Sequence, residues 1–551
     1  MRNLKSINKK LILILFIAFF LRIVNISNNP PALYGDELTM SLDVNSIMHT
    51  GYDTTGKFLP LNFTMGGGRP VGYGYFSMPF LALFGSGALG IRLLSVLSGV
   101  GIVVLIYWLG RLIFSKQIGE VAAALLAISP WDLSLSRAGF ETHFALFLSL
   151  FGIVMFLLAK KRPWFYIVSI LSFGLSVNTY STYKLTLPIF FPLLLWFSNL
   201  REIFSNKKNR IVLVLSTVIL LLFSSLFLFQ VSVNKSESRF LSINIFTQQE
   251  IKNRMTEDIN ERRNLNPLNE KLSKLLNNKV WEYGFLLGRN YLNNFSAGFL
   301  FLNGDRNPRH NMAGTGSLYI VELISIFFGI GYLFRKKYFR VMIFIVSWIL
   351  LSPIASSLIS DPHALRNSFM LPPLTVLSAV GLYYLWTQRE QLLMKIVIVV
   401  CLFGFLMQFI FISQNLYFIS PNKYSRFWAY PARIATEIAV QNKEKYNYIF
   451  LSDRIDAVEF AYPIYAAIEP IKVLEQNKSQ TQIGEYKFKK YSNVYIGYIP
   501  DSQAEKFINS LEGSVLYIGP TEDKKYLKSA ELINGLDGIN ALVLEKKELK
   551  I

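Results

Sequence analysis

The chain has 551 residues, of which 52% are hydrophobic and only 17% charged, a composition too apolar for an ordinary soluble multidomain protein. Its formal net charge is +20. Most of that excess lies in short basic loops between apolar segments, which marks cytoplasmic loops and excludes the need for a nucleic-acid partner.

Arg2, Lys5, Lys9 and Lys10 precede a continuous apolar run from Leu11 to Leu21. That is the pattern of a signal peptide, but no small-x-small cleavage site follows and Arg22 to Asn25 extend the helix. An uncleaved first span over 11–27 is predicted, with its N-terminus in the cytoplasm. Residues 28–86 form a first outer loop. Within it Asp36 to His49 predicts an amphipathic helix along the membrane surface, and Gly66 to Tyr75 a mobile glycine-rich loop. Spans follow over 88–113, 119–130, 142–159, 163–178, 185–199 and 211–233. A second polar loop covers 234–316, before spans over 317–334, 341–358, 368–386 and 393–413. Counted as about eleven transmembrane helices from an inside N-terminus, these put every basic short loop in the cytoplasm. The single cysteine, Cys401, lies inside the last of them, so there is no disulfide framework.

The tail, 414–551, has nearly balanced charges. Tyr448–Leu451, Ile471–Leu474, Val494–Ile499, Val515–Ile518 and Ala541–Leu544 read as buried strands. Ala432–Val440 and Gln503–Leu511 read as helices between them. The predicted fold is a multi-pass α-helical membrane protein, core 1–413, with a small extracytoplasmic α/β domain over 414–551, read as a lid or acceptor-docking module.

This topology sorts the polar residues by side. Asp36, Glu37, Arg69, Arg137, Glu141, Lys184, Asp305, Arg306, Arg309, Asp361 and Arg366 fall at or near the outer boundary, with His49, His143, His310 and His363. A carboxylate pair can supply a general base, and arginines supply fixed cationic forks for a phosphate that gains charge as it leaves. One base beside several arginines at the lipid boundary suits displacement of a lipid-linked phosphate by a hydroxyl. The plainer reading of Asp36-Glu37 is a pair favoured by a helix N-terminus, and that of Arg137 and Glu141 is an ion pair four residues apart. The histidines come from four separate loops without metal-ligand spacing, so no metal site is assigned, although a divalent cation is compatible with such chemistry.

The order of an apolar helix ending in Leu21-Arg22, a Pro-containing linker and Asp36-Glu37 resembles the start of the polyprenyl-phosphate-dependent GT-C glycosyltransferases. This branch, family 39-like, includes the protein O-mannosyltransferases and the lipid A aminoarabinose transferases. Ser136-Arg137, Phe301 to Asp305 with Arg309-His310 and Gly314-Thr315-Gly316, and Asp361 to Asn367 resemble it in the same order, over residues 11 to about 385. The resemblance implies Asp36 as the base that deprotonates an acceptor hydroxyl in an inverting displacement, with Glu37 positioning acceptor or base. It implies Arg137 at the donor phosphate, with Glu141, Arg306, Arg309, His363 and Arg366 as further substrate contacts. Glu141 follows Arg137 by four residues, whereas the mannosyltransferases carry an Asp five residues on. The Trp-Trp-Asp motif of oligosaccharyltransferases is absent, which argues against transfer of a whole glycan to Asn. The implied partners are a polyprenyl-phosphate-linked sugar, the bilayer of a prokaryotic cytoplasmic membrane, and a glycan, lipid or protein acceptor. A flippase of lipid-linked intermediates and a non-catalytic envelope assembly protein are the alternatives.

Overall fold

The apolar runs fold as helices whose ends are set by turn residues. A computed structural model describes residues 8–199, 244–359 and 361–548, with scattered positions between 210 and 225. Among these, five helices are long and apolar enough to cross a bilayer: Ala88–Ile113, Glu141–Leu158, Phe339–Ser357, Ser368–Thr387 and Leu392–Lys423. A further apolar pair, Lys116–Ala127 and Pro130–Ser136, is bent by 59° and makes a sixth only if the two are counted as one span. Pro130 opens the second half, and the Ser129 side chain accepts from the Asp132 backbone N–H.

The predicted first, fifth, sixth and eighth spans are shorter helices of 15, 13, 15 and 14 residues. The first stops at Ile23 instead of 27, since Asn25 takes a left-handed φ of 53° and Pro30-Pro31 follow. The predicted seventh span lies almost wholly outside the described residues. In the core, helices Glu322–Arg335 and Leu371–Thr387 pack backbone against backbone: a Cβ on Gly381 would stand 1.7 Å from the Ser325 carbonyl oxygen.

Two readings of the first outer loop are corrected. Gly35–Thr50 is a helix, but it does not divide into one apolar and one exposed polar face. Its residues from Glu37 to Val44 are all buried, because it sits between the helical core and the tail. The stretch Arg69 to Tyr75 is not loop but regular structure. Arg69-Pro70 (β2) pairs with Asn62-Phe63 (β1), and Gly72 starts a helix to Phe84 against Asn178 and Thr179.

The last apolar helix continues past the predicted boundary at 413. At Asn415–Ile419 it passes through a π-helical turn, and there Asn29 Nδ2 donates to the Leu416 carbonyl at 3.0 Å. Beyond it lies a seven-stranded sheet in the order β4-β5-β6-β3-β7-β9-β8. Its centre, β3 (Tyr448–Ser452), is parallel to β6 (Val494–Gly497) and β7 (Val515–Gly519). The other pairings, through β4 (Thr481–Ile483), β5 (Tyr486–Tyr491), β8 (Glu531–Asn534) and β9 (Asn540–Lys547), are antiparallel. Ile471–Leu474 is helical and not a strand, because Pro470 begins the helix Pro470–Lys478. The missed strands β4, β5 and β8 are outer members of the sheet and carry too many polar residues to read as buried.

The tail grips the linker that the first helix releases. Tyr465 Oη accepts from the Leu33 N–H at 2.8 Å, and Arg433 Nη1 donates to the Pro31 carbonyl at 2.6 Å. Trp428 meets the Tyr34 ring edge-on at 5.6 Å. Leu33, Leu38 and Val44 share one apolar core with Ala432, Ile449 and Leu516.

Candidate functional site

The helix Gly35–Thr50 presents two adjacent carboxylates to different surroundings, since neighbours on a helix point about 100° apart. Glu37 points inward and is fully buried. Arg92 grips it with two bonds, Nε to Oε1 at 2.8 Å and Nη2 to Oε2 at 2.9 Å, and the Gly139 N–H donates to Oε1 at 2.8 Å. Arg92 also donates to the carbonyls of Ile26, Pro30 and Ala32. Glu37 thus fastens the Asp36 helix to the linker and to the chain after Arg137. It does not line the cavity, and its effect on any substrate is indirect.

Asp36 is 40% exposed and lines a cavity of about 210 Å³. Its Oδ1 accepts from Arg69 Nη2 at 2.5 Å, and its backbone carbonyl accepts from Arg69 Nη1 at 2.9 Å. Oδ2 has no hydrogen-bond partner among the described residues. Arg69 Nε is also 3.1 Å from Glu141 Oε1, so one guanidinium joins both carboxylates. Burial disfavours the Arg69 charge, but Glu141 and Asp36 outweigh it and raise the pKa. Tyr34, in the same cavity, has its phenol pushed well up by burial and by the charges of Asp36 and Glu141.

The remaining wall comes from the loops before the predicted eighth and tenth spans. Arg309, His310, His363 and Arg366 line it, and the Arg309 guanidinium stacks over the Tyr34 ring at 5.0 Å. Asp305, behind them, ties the two loops together. Its Oδ2 accepts from the Ala364 N–H at 2.7 Å and lies 3.1 Å from His310 Nδ1, while Oδ1 accepts from the Asn307 N–H at 2.8 Å. Burial would raise the Asp305 pKa, but the bond and charge of His310, with His363 beyond it, outweigh burial and hold the carboxyl down at about 2.

Of the residues singled out from sequence, Asp36, Glu141, Arg309, His363 and Arg366 meet in this cavity. Arg306 is exposed and outside it. Arg137 also lies outside this cavity, with its two terminal nitrogens turned to backbone carbonyls. It donates to the carbonyls of Leu21, Arg22, Val24 and Asn29 at 2.8–3.2 Å, capping the C-terminal end of the first helix. Two other readings change. His143 is buried against Asp132 at 3.0 Å, with Arg22 on the same carboxylate. His310 and His363, expected in unrelated loops, have their rings 4.4 Å apart. With Asp305 they are the group of side chains that could hold a metal among the described residues. The sequence placed Arg69 among the outer-boundary residues but did not single it out as the partner of Asp36.

Residues 68–229 match the family described as dolichyl-phosphate-mannose-protein mannosyltransferase. The fold is similar to that of ArnT from Cupriavidus metallidurans, solved bound to undecaprenyl phosphate, with a TM-score of 0.52 at 13% identity over 97% of both chains. It is also similar to the oligosaccharyltransferase of Archaeoglobus fulgidus in complex with zinc and sulfate, with a TM-score of 0.51 at 16% identity over 82% of this chain. This chain spans 61% of the length of that archaeal protein. A further likeness is to the same organism's oligosaccharyltransferase AglB with an inhibitory peptide and a dolichol-phosphate, with a TM-score of 0.50 at 15% identity over 93% of this chain and 69% of that one. No curated protein sequence matches the chain. The apolar helices and these likenesses make it a membrane protein with the fold of the GT-C glycosyltransferase superfamily.

Proposed function

We propose that this protein is a glycosyltransferase that moves one sugar from a polyprenyl-phosphate donor to a hydroxyl acceptor at the outer face of a prokaryotic cytoplasmic membrane. The observation that carries this reading is the half-exposed Asp36 carboxylate, fixed by Arg69 in a cavity that also holds Arg309 and Arg366. A base needs a held orientation and an open lone pair within reach of the acceptor proton. Arg69 supplies the first through Oδ1 and leaves Oδ2 for the second.

In the reaction, Asp36 takes the hydroxyl proton as the acceptor oxygen bonds to the anomeric carbon. The bond from that carbon to the phosphate oxygen breaks on the opposite side, inverting the centre, and the electron pair leaves with the phosphate. Arg309 and Arg366 neutralise the charge that grows there. Glu141, sharing Arg69 with Asp36, holds the guanidinium in place. The family match to a mannosyltransferase, and neighbours solved with undecaprenyl phosphate and dolichol-phosphate, support a lipid-phosphate donor.

The test is turnover of a panel of polyprenyl-phosphate sugars by the purified full-length chain. Release of polyprenyl phosphate is expected with at least one donor, and Asp36→Asn should lower it by about 10²–10⁴-fold in a protein that still folds, since Glu141 remains beside Arg69. Turnover by Asp36→Asn equal to wild type would sink the base assignment. The absence of turnover with every donor would sink the transferase reading.

A further inference from the structure

We propose that residues 262–292 form a docking arm whose occupant is an anionic lipid surface. The sequence reads this segment as part of a polar loop, yet Leu275, Leu276, Val280, Trp281, Phe285 and Leu292 are each more than half exposed. Asn269 and Asn278 cap the two helices that carry them, Glu270–Leu276 and Lys279–Asn293. On the second helix Trp281, Phe285, Gly288 and Leu292 follow at spacings of four, three and four, a single stripe at 3.6 residues per turn. A Cβ on Gly284 or Gly288 would meet nothing within 4 Å, so the stripe is bare as well as apolar. The opposite side is occupied. Glu282 Oε1 accepts from Arg262 Nη1 at 2.7 Å, and the buried Asn290 donates from Nδ2 to the Ser357 carbonyl at 3.1 Å.

Two observations choose lipid over a soluble partner. The first is position. Tyr291 Oη donates to the Leu350 carbonyl at 2.9 Å. Leu350 lies in the apolar helix Phe339–Ser357, seven residues before its end, which is about 10 Å down the crossing at 1.5 Å per residue. Ile343 and Leu350 are themselves exposed on that helix, so the bare stripe continues its lipid-facing side. The second is charge. Arg262, Arg263, Lys271, Lys274, Lys279 and Arg289 stand against Glu270 and Glu282, a net charge of +4 over 262–292. An apolar face flanked by basic residues settles at the boundary of headgroups and acyl chains, where Trp and long basic side chains are also favoured. The arm is fastened to the cavity as well, because Asn294 accepts from Asn367 on the loop that carries His363 and Arg366.

This surface does not depend on the transferase reading, and its test needs no transfer assay. The full-length chain, with Cys401→Ser to remove its only cysteine, carries Val280→Cys or Leu292→Cys labelled with a polarity-sensitive fluorophore. It is placed in nanodiscs of phosphatidylglycerol and phosphatidylcholine. Insertion about 5–10 Å below the headgroups should blue-shift both probes and cost them about half of their emission when the acyl chains are brominated. A probe at Ser502→Cys, exposed in the tail, should stay unquenched. Lys271→Glu combined with Lys279→Glu, or discs of phosphatidylcholine alone, should lower the quenching. Should Leu292→Cys fail to fold, Val280→Cys carries the test, since Val280 is 80% exposed. Water-like emission from the probes would overturn the docking arm, and so would a blue shift without bromine quenching, which would mean that protein covers the stripe. Quenching unchanged by both the charge reversal and the neutral discs would overturn the anionic partner.

Discussion

On one wall of the cavity two carboxylates, Asp36 and Glu141, share a single buried cation, Arg69. The wall built from residues 305–310 and 363–366 has the reverse balance: Arg309, Arg366 and two imidazoles line the cavity, and the one carboxylate, Asp305, stands behind the imidazoles. The difference teaches how one small cavity separates two charges. A proton acceptor needs a negative group with a free lone pair, and a leaving phosphate needs fixed positive groups. The two cannot be neighbours without pairing, so the chain builds them on separate loops. In the first wall Arg69 has carboxylates on both sides, which holds Asp36 in place without consuming it.

That comparison can be broken by substitutions on each side. The largest stability effect is expected from Glu37→Gln, which leaves the Arg92 guanidinium buried without its counter-charge. Losing one partner of a buried pair costs about 3–5 kcal/mol, and thermal unfolding in detergent should show a marked drop even with donor absent. A variant as stable as wild type would mean that Glu37 is not the anchor of the Asp36 helix.

The next effect concerns pH. Asp43, on the same helix, is 1% exposed and is held by the Thr54 N–H at 3.0 Å and by the Thr54 hydroxyl. Burial, more than its other surroundings, pushes its carboxyl up to about 6 from 3.8. A raised folded-state pKa gives stability that is present below the unfolded value and lost as pH rises through the folded one. Stability should fall between about pH 4 and 6 by at most about 3 kcal/mol, and Asp43→Asn should flatten that slope in a pH series of melting curves. An unchanged slope would contradict the burial of this carboxyl.

The smallest effect probes the cationic wall. Arg366→Ala should raise the donor KM about 10- to 100-fold, the worth of a charge-assisted hydrogen bond to phosphate, and leave stability near wild type. An equal loss with unchanged KM would instead tie Arg366 to the transition state. Deleting the tail would not isolate a working core. Leu33, Leu38 and Val44 share their apolar packing with Ile449 and Leu516, so the helix that carries Asp36 would lose one of its two supports.

Much of this arrangement was legible in the chain. The length and apolar character of Ala88–Ile113 or Leu392–Gln414 force a helix in a bilayer, where backbone groups find no other partners. Asp36 stood out because a carboxylate pair directly follows an apolar helix. Four of the five strands read in the tail are present, since short β-rich apolar runs have few alternatives. Arg137, which the resemblance implies at the donor phosphate, shows what local reading does not reveal: the carbonyls of Leu21, Arg22 and Val24 at the end of the first helix, and of Asn29 in the linker, converge on it.

The sequence by itself therefore determined the membrane class, the helices and a short set of polar candidates, because hydropathy and helix periodicity act over neighbouring residues. Only the tertiary structure decided which candidates meet. Asp36 and Glu37 are adjacent in the chain, but one faces a cavity and the other is locked beneath Arg92. His310 and His363 are 53 residues apart in the chain, yet their rings lie 4.4 Å from each other. The partner of a charge is chosen by the packing of distant segments, and that choice leaves no mark on the residues beside it.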